Sequence, residues 1–211
     1  MKYLPTRRRV LFSAGLVILF AAPRLLRAQA GAGAVAPIRE FCDKLLDVMK
    51  AGQSAPFNTR FDMLAPVIDR VFDLTTILQN SVGASWGSLS PADQEALTAA
   101  FRQYTIASYV NSFDHYSGQR FEVLPDPQQV QPGQLIVRSR IIPQSGSPHE
   151  LNYVMRSRGS TWKVVDVLAD GSISQVARQR SDFRGLLASG GAPALAKRLQ
   201  QKSADLSAGA K

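Results

Sequence analysis

The apolar residues of this 211-residue chain change their spacing at Gly118, and no other feature constrains the fold as strongly. Before Gly118 they recur every three or four positions, as on one face of a helix. After it they alternate, as on one face of a strand, and beyond Ser174 the helical spacing returns.

In the first part, Ile38, Phe41, Cys42, Leu45, Leu46 and Met49 follow Pro37, which suits a first helical position, and they stop at Gly52. A second region from Pro56 to Val82 carries Phe61, Leu64, Ile68, Phe72, Leu74, Ile77 and Leu78. Pro66 is expected to break it and Asp73 to cap its continuation. Ser90-Pro91-Ala92-Asp93 combines an N-cap, a proline at N1 and an acid at N3. It opens a third helix, to about Ser112, with Leu97, Phe101, Tyr104 and Ser108 on one face.

Four strands are predicted over 120–124, 135–142, 150–158 and 161–168, separated by Pro125-Asp126-Pro127, by 143–148 and by the hairpin turn Gly159-Ser160. Leu135, Val137 and Ile141 share one face of the second strand, opposite Arg138 and Arg140. Leu151, Tyr153 and Met155 share one face of the third, opposite Asn152 and Arg156. On the fourth, Asp166 falls beside Trp162, Val164 and Leu168 and so requires a partner on the apolar side. Two closing helices are expected over 174–188 and 193–203, with Gly190-Gly191 between them. The order specifies an α+β domain in which several helices cover one face of a four-stranded, curved antiparallel sheet.

Composition removes several functional classes. The chain carries 25 Lys and Arg against 16 Asp and Glu, but six of the basic residues lie in the first 30, which hold no acid. Without that segment the excess is small and gives no basis for nucleic-acid binding. One cysteine excludes an intrachain disulfide framework, and two histidines 34 positions apart give no zinc-type spacing. Cys42 is expected to be a small buried helix residue, and His115 a loop or helix-end residue.

Residues 1–30 have the form of a cleaved export signal: Arg7-Arg8-Arg9, an apolar run from Val10 to Ala22, then Ala28-Gln29-Ala30. The pattern fits either the general secretory or the twin-arginine route, and the alternative is an uncleaved anchor. Residues 31–36 are expected to be a tether, 37–203 a single domain and 204–211 a disordered tail.

Gly83-Ala84-Ser85-Trp86-Gly87 satisfies G-x-S-x-G, with His149 downstream, and would make Ser85 an esterase nucleophile if a strand ran into it and a helix left it. The helical spacing before Ser85 favours an interhelical loop instead. Arg138, Arg140, Arg156 and Arg158 could form a basic stripe on the outer sheet face. That stripe would suit an acidic partner, or be simply a solvated surface.

The succession Phe101, Tyr104, Ser108-Tyr109, Phe113, Tyr116 to Phe121, Tyr153, Trp162 to Val167, Gly171, Ser174, Arg180 and Phe183 resembles, in order and spacing, the MlaC or toluene-tolerance family of exported lipid-binding proteins. The resemblance spans about Pro37 to Leu199. Around Asp170 to Phe183 the spacing is one residue longer than the commoner pattern, as in the hopanoid-associated branch, HpnM. The resemblance implies a monomeric periplasmic carrier without cofactor or catalysis, holding phospholipid or hopanoid tails in an apolar cavity between sheet and helices. Its implied partners are a membrane ABC transport complex and an outer-membrane lipoprotein, and the carrier would shuttle lipid between membranes. From face and period, the candidate lining residues are Phe61, Leu64, Ile68, Phe72, Phe101, Tyr104, Val137, Ile141, Tyr153, Met155 and Val164. Asp166 is expected to pair with an arginine such as Arg180. The rival classes are a serine hydrolase and a non-enzymatic adaptor that docks through the basic sheet face.

Overall fold

The structure, a computed structural model, describes residues 22–159 and 161–209. Helix α1 (Ala22–Ala51) is followed by α2 (Phe57–Val71), α3 (Leu74–Val82) and α4 (Pro91–Ser112). Then come strands β1 (Arg120–Val123), β2 (Gln128–Gln131), β3 (Gln134–Val137), β4 (Ser139–Ile142), β5 (His149–Arg158), β6 (Thr161–Ala169) and β7 (Ile173–Ser174), and finally helix α5 (Gln175–Ser207). The α+β order with an antiparallel sheet is as expected.

Local chemistry accounts for most of these boundaries. Ser90 accepts the Asp93 N–H at 3.1 Å and Pro91 occupies N1, so α4 starts where its capping residues dictate. Asp73 caps α3 by accepting the Thr76 N–H at 3.0 Å. Gly191, at φ 64°, interrupts α5 between the two closing helices the glycine pair foretells.

Two proline expectations are corrected. Pro66 lies inside α2 and Pro37 inside α1. The carbonyls that each ring deprives of a donor belong to Asp62 and Gly33, and both residues are exposed, so solvent can satisfy them. Residues 31–36 are therefore helical rather than a tether, and Ala34 and Val35 are buried. Residues 204–207, expected to be disordered, continue α5. The export-signal assignment up to residue 21 lies outside the described residues.

The sheet is open and contains more segments than the alternation suggests. β1 pairs with β4 and β2 with β3; β3 and β4 both pair with β5, which pairs on its other edge with β6. The predicted run 135–142 is thus two strands broken at Arg138, opposite the interruption at 125–127. At the break Ser139 N–H donates to Asn152 Oδ1 at 3.2 Å, and Leu124 N–H donates to the Arg138 carbonyl at 3.0 Å. On β6 a bulge at Val165 resets the alternation, placing Val164 opposite Met155 and Val167 opposite Tyr153. Both sides of the bulge therefore present valine to the helices, and Asp166 is turned to another use.

The core lies between sheet and helices. Phe41 of α1 meets Phe72, Tyr109 and Tyr153 edge-on at centroid distances of 5.0, 5.2 and 6.0 Å. Helix α4 packs along α5, and α1 packs on α2 and on the sheet. Cys42 is 2% exposed, and burial pushes its thiol up to about 12, against a smaller opposing hydrogen bond with Tyr153.

Candidate functional site

A pocket of about 380 Å³ opens between α3, α4, the start of α5 and the sheet strands β4, β5 and β6. Helix α3 contributes Leu74 and Ile77, placed by the Asp73 cap. Helix α4 contributes Phe101, Tyr104, Thr105, Ser108, Tyr109 and Ser112, a stripe set by the spacing of three and four. The sheet contributes Ile141, His149, Glu150, Leu151, Asp166, Val167 and Ala169, and α5 contributes Gln175, Val176 and Gln179. Phe72, Phe113 and Asp170 complete the lining.

The wall built by α4 and its flanks is aromatic, interleaved with the hydroxyls of Thr105 and Ser108. Phe72 and Tyr109 lie 5.8 Å apart, Tyr109 stacks on Phe113 at 6.2 Å, and Phe113 meets Phe121 at 6.1 Å. Burial pushes the Tyr109 hydroxyl well above its ordinary range, and it stays neutral. Of the carboxylates in the lining, Glu150 and Asp170 are exposed at the mouth beside His149, and half-buried Asp166 lies on the α5 side. An apolar chamber with a polar rim suits an amphiphile whose tail goes in and whose head stays wet.

Asp166 anchors the α5 side of this chamber. Its carboxylate accepts the Val167 N–H at 2.8 Å, the Val176 N–H at 3.1 Å and the Ser174 hydroxyl at 2.5 Å. Ser174 in turn caps α5 by accepting the Ala177 N–H at 3.0 Å. The expected pair with Arg180 is not formed, because the Arg180 guanidinium donates to the Asn80 carbonyl. A carboxylate at a helix N-terminus is stabilised by the orphan N–H groups themselves, and no cation is required.

Of the eleven candidate lining residues, Phe72, Phe101, Tyr104 and Ile141 border the pocket. Leu64, Ile68, Val137, Tyr153, Met155 and Val164 do not: they are fully buried core. Phe61 faces a separate groove with Phe57, Gln103 and Gln200. The periodicity identified inward-pointing side chains but missed Leu74, Ile77, Thr105, Tyr109 and Leu151. The stripe Thr105, Ser108, Ser112 beside Phe101 and Tyr104 was a usable signal, since hydroxyl residues interleaved with aromatics on an inward face are unusual for a filled core.

The basic stripe is weaker than its sequence suggests. Arg158 donates to Asp73 at 2.7 Å and to Thr76 at 2.8 Å, and so belongs to the α3 cap. Arg140 stands in register between Glu122 and Glu150. Arg138 sits at the strand break, and half-buried Arg156 lies in register with Lys163. Ser85 lies in a 3-10 segment, Gly83–Ser88, that follows α3 with no strand running into it. The elbow geometry is absent there, and Ser85 does not border the pocket that His149 borders. His115 is an exposed loop residue after α4, as expected.

The sequence matches the family described as MlaC protein over residues 39–201. The chain belongs to the MlaC family. The match covers all of the pocket-forming elements, from α3 through the start of α5. Among solved structures, the phospholipid-binding protein of Ralstonia solanacearum, in complex with a phospholipid, has the same fold. It is similar at 21% identity with a TM-score of 0.72, over 83% of this chain and 99% of that one.

Proposed function

We propose that this protein is a non-enzymatic periplasmic lipid carrier that takes the hydrocarbon of a phospholipid or hopanoid into the α3–α4–α5 pocket. The observation that carries this reading is the pocket itself: a largely aromatic and aliphatic wall behind a polar mouth, in a chain of the MlaC family. The phospholipid-bound Ralstonia protein of the same fold supports it. Burial of a tail is favourable by about 0.8 kcal/mol per methylene, so a lipid that crosses an aqueous compartment needs such a container. The pocket lies near the lower end of the usual range for small-molecule sites, about 300–1,000 Å³.

In this reading residues 1–30 direct export by the secretory or twin-arginine route, and the carrier acts as a monomer between a membrane ABC transport complex and an outer-membrane lipoprotein. A vesicle assay tests the carrier role. Purified protein should accelerate transfer of a fluorescent phospholipid from donor to acceptor vesicles in proportion to its concentration. A transfer rate equal to that with an unrelated protein of the same charge would overturn it.

A further inference from the structure

We propose that the pocket mouth selects a lipid whose polar end bears no net negative charge and offers ammonium or hydroxyl donors. This inference rests on the reading of the pocket as a lipid site and adds the class of headgroup. The lining holds three carboxylates, Glu150, Asp166 and Asp170, together with His149, and no lysine or arginine. Asp166 is occupied at the N-terminus of α5. Glu150 and Asp170 are exposed, and neither has an ion-pair partner among the described residues.

The backbone fixes the turn that carries Asp170. Asp170 and Gly171 form the tight turn between β6 and β7, with φ of 48° and 77°, closed by the Ser172 N–H to the Ala169 carbonyl at 3.2 Å. A Cβ at position 171 would come within 2.5 Å of Glu150 Oε2. The positive φ favours glycine at 171, and the Glu150 side chain lies over it. The Glu150 carboxylate thus lies against the turn that carries Asp170, and the two negative charges share one rim.

The nearest cation in register with Glu150 is Arg140, on the neighbouring strand. It stands between Glu150 and Glu122 and does not line the pocket. A lipid with its tail in the chamber brings its phosphate to this rim. An ethanolamine headgroup offsets that charge with its ammonium, and a polyhydroxylated hopanoid brings donors and no charge. A glycerol headgroup leaves the phosphate uncompensated against two carboxylates. The rim field opposes what the basic excess of the whole chain would favour, so net charge and local charge predict opposite rankings.

Competition loading separates them. Delipidated protein is incubated with vesicles containing equal amounts of phosphatidylethanolamine, phosphatidylglycerol and a polyhydroxylated hopanoid, and the protein-bound lipid is extracted and quantified. Phosphatidylglycerol should be the least loaded, about fivefold or more below the best of the other two at low salt. The gap should close at 1 M salt, where the screening length falls to about 3 Å. Which of the other two dominates identifies the source of the donors. The double substitution Glu150→Gln, Asp170→Asn should raise the share of phosphatidylglycerol, and asparagine keeps the left-handed turn. Phosphatidylglycerol loaded equally or best, or a ranking indifferent to salt, would overturn the headgroup proposal while leaving the carrier intact. No bound lipid of any kind would overturn the lipid-site reading, and this proposal with it.

Discussion

Replacing Asp166 with alanine removes three acceptor contacts at the point where the sheet hands over to α5. The Val176 N–H, in the first turn of α5, loses its partner, and Ser174 loses the carboxylate that holds its hydroxyl in capping position. Loss of an anion and cap at a helix N-terminus costs about 1–2 kcal/mol. An unsatisfied, part-buried N–H adds about 1–3 kcal/mol. The two overlap because Ser174 and Asp166 act on the same turn, so about 2–3 kcal/mol is expected in total. For a chain of this size that corresponds to a fall in Tm of about 5–10 °C. Thermal unfolding followed by far-UV circular dichroism measures it directly. Asp166→Asn, which keeps one acceptor oxygen, should lose about half as much. A double-mutant cycle sharpens the test. Asp166→Ala and Arg180→Ala should be additive within about 0.5 kcal/mol, whereas Asp166→Ala and Ser174→Ala should couple strongly. An Asp166→Ala protein that melts like the parent, or one that couples to Arg180 instead of Ser174, would refute this account of the β6–α5 junction.

Four further outcomes follow from the same structure. Burial pushes the Asp73 carboxyl up, but hydrogen bonds from the Thr76 backbone and Arg158 outweigh it and hold the group below its ordinary value. The stabilisation, about 1 kcal/mol or less given the exposure of Arg158, is present above the unfolded pKa of about 3.9 and lost as pH falls through the folded value. Denaturant titrations should therefore show Asp73→Asn weaker than the parent at pH 7, with the gap closing as the pH falls below the ordinary carboxylate range, and a gap that stays constant into acid contradicts the pairing. Cys42, its thiol raised to about 12, should resist iodoacetamide at pH 8 in the native protein and react in urea, so rapid native alkylation would disprove its burial. Ile77→Trp should fill the pocket and cut lipid uptake about tenfold or more while shifting Tm by only a few degrees; undiminished uptake would place the lipid elsewhere. Ser85→Ala should leave both Tm and lipid uptake unchanged, and any ester turnover lost with it would revive the hydrolase class.

Local signals were legible where a single side chain decides the backbone. Ser90-Pro91 and Asp73 fixed the starts of α4 and α3, and Gly191 fixed the interruption in α5, because caps and left-handed residues act within a few positions. Pro66 and Pro37 misled because the effect of a proline depends on whether the carbonyl it orphans can reach water, which is a tertiary fact. The strand edge β2, Gln128–Gln131, has no apolar alternation and is fully exposed, so period could not find it. The bulge at Val165 likewise decides which way Asp166 points, and nothing in the alternation marks it. The pocket was the least legible part. Leu64 and Phe101 obey the same periodicity, yet one fills the core and the other borders a hollow, because the difference lies in how far the opposite layer stands away.

The central claim is that the chamber between α3, α4 and the sheet carries a lipid in the cell. Native mass spectrometry of the full-length protein, purified without detergent or denaturant, followed by organic extraction, tests it most directly. The account predicts a stoichiometric lipid adduct that is lost on denaturation and strongly reduced in Ile77→Trp. A protein that arrives at its bare polypeptide mass, and also refuses lipid offered in vesicles, would contradict it.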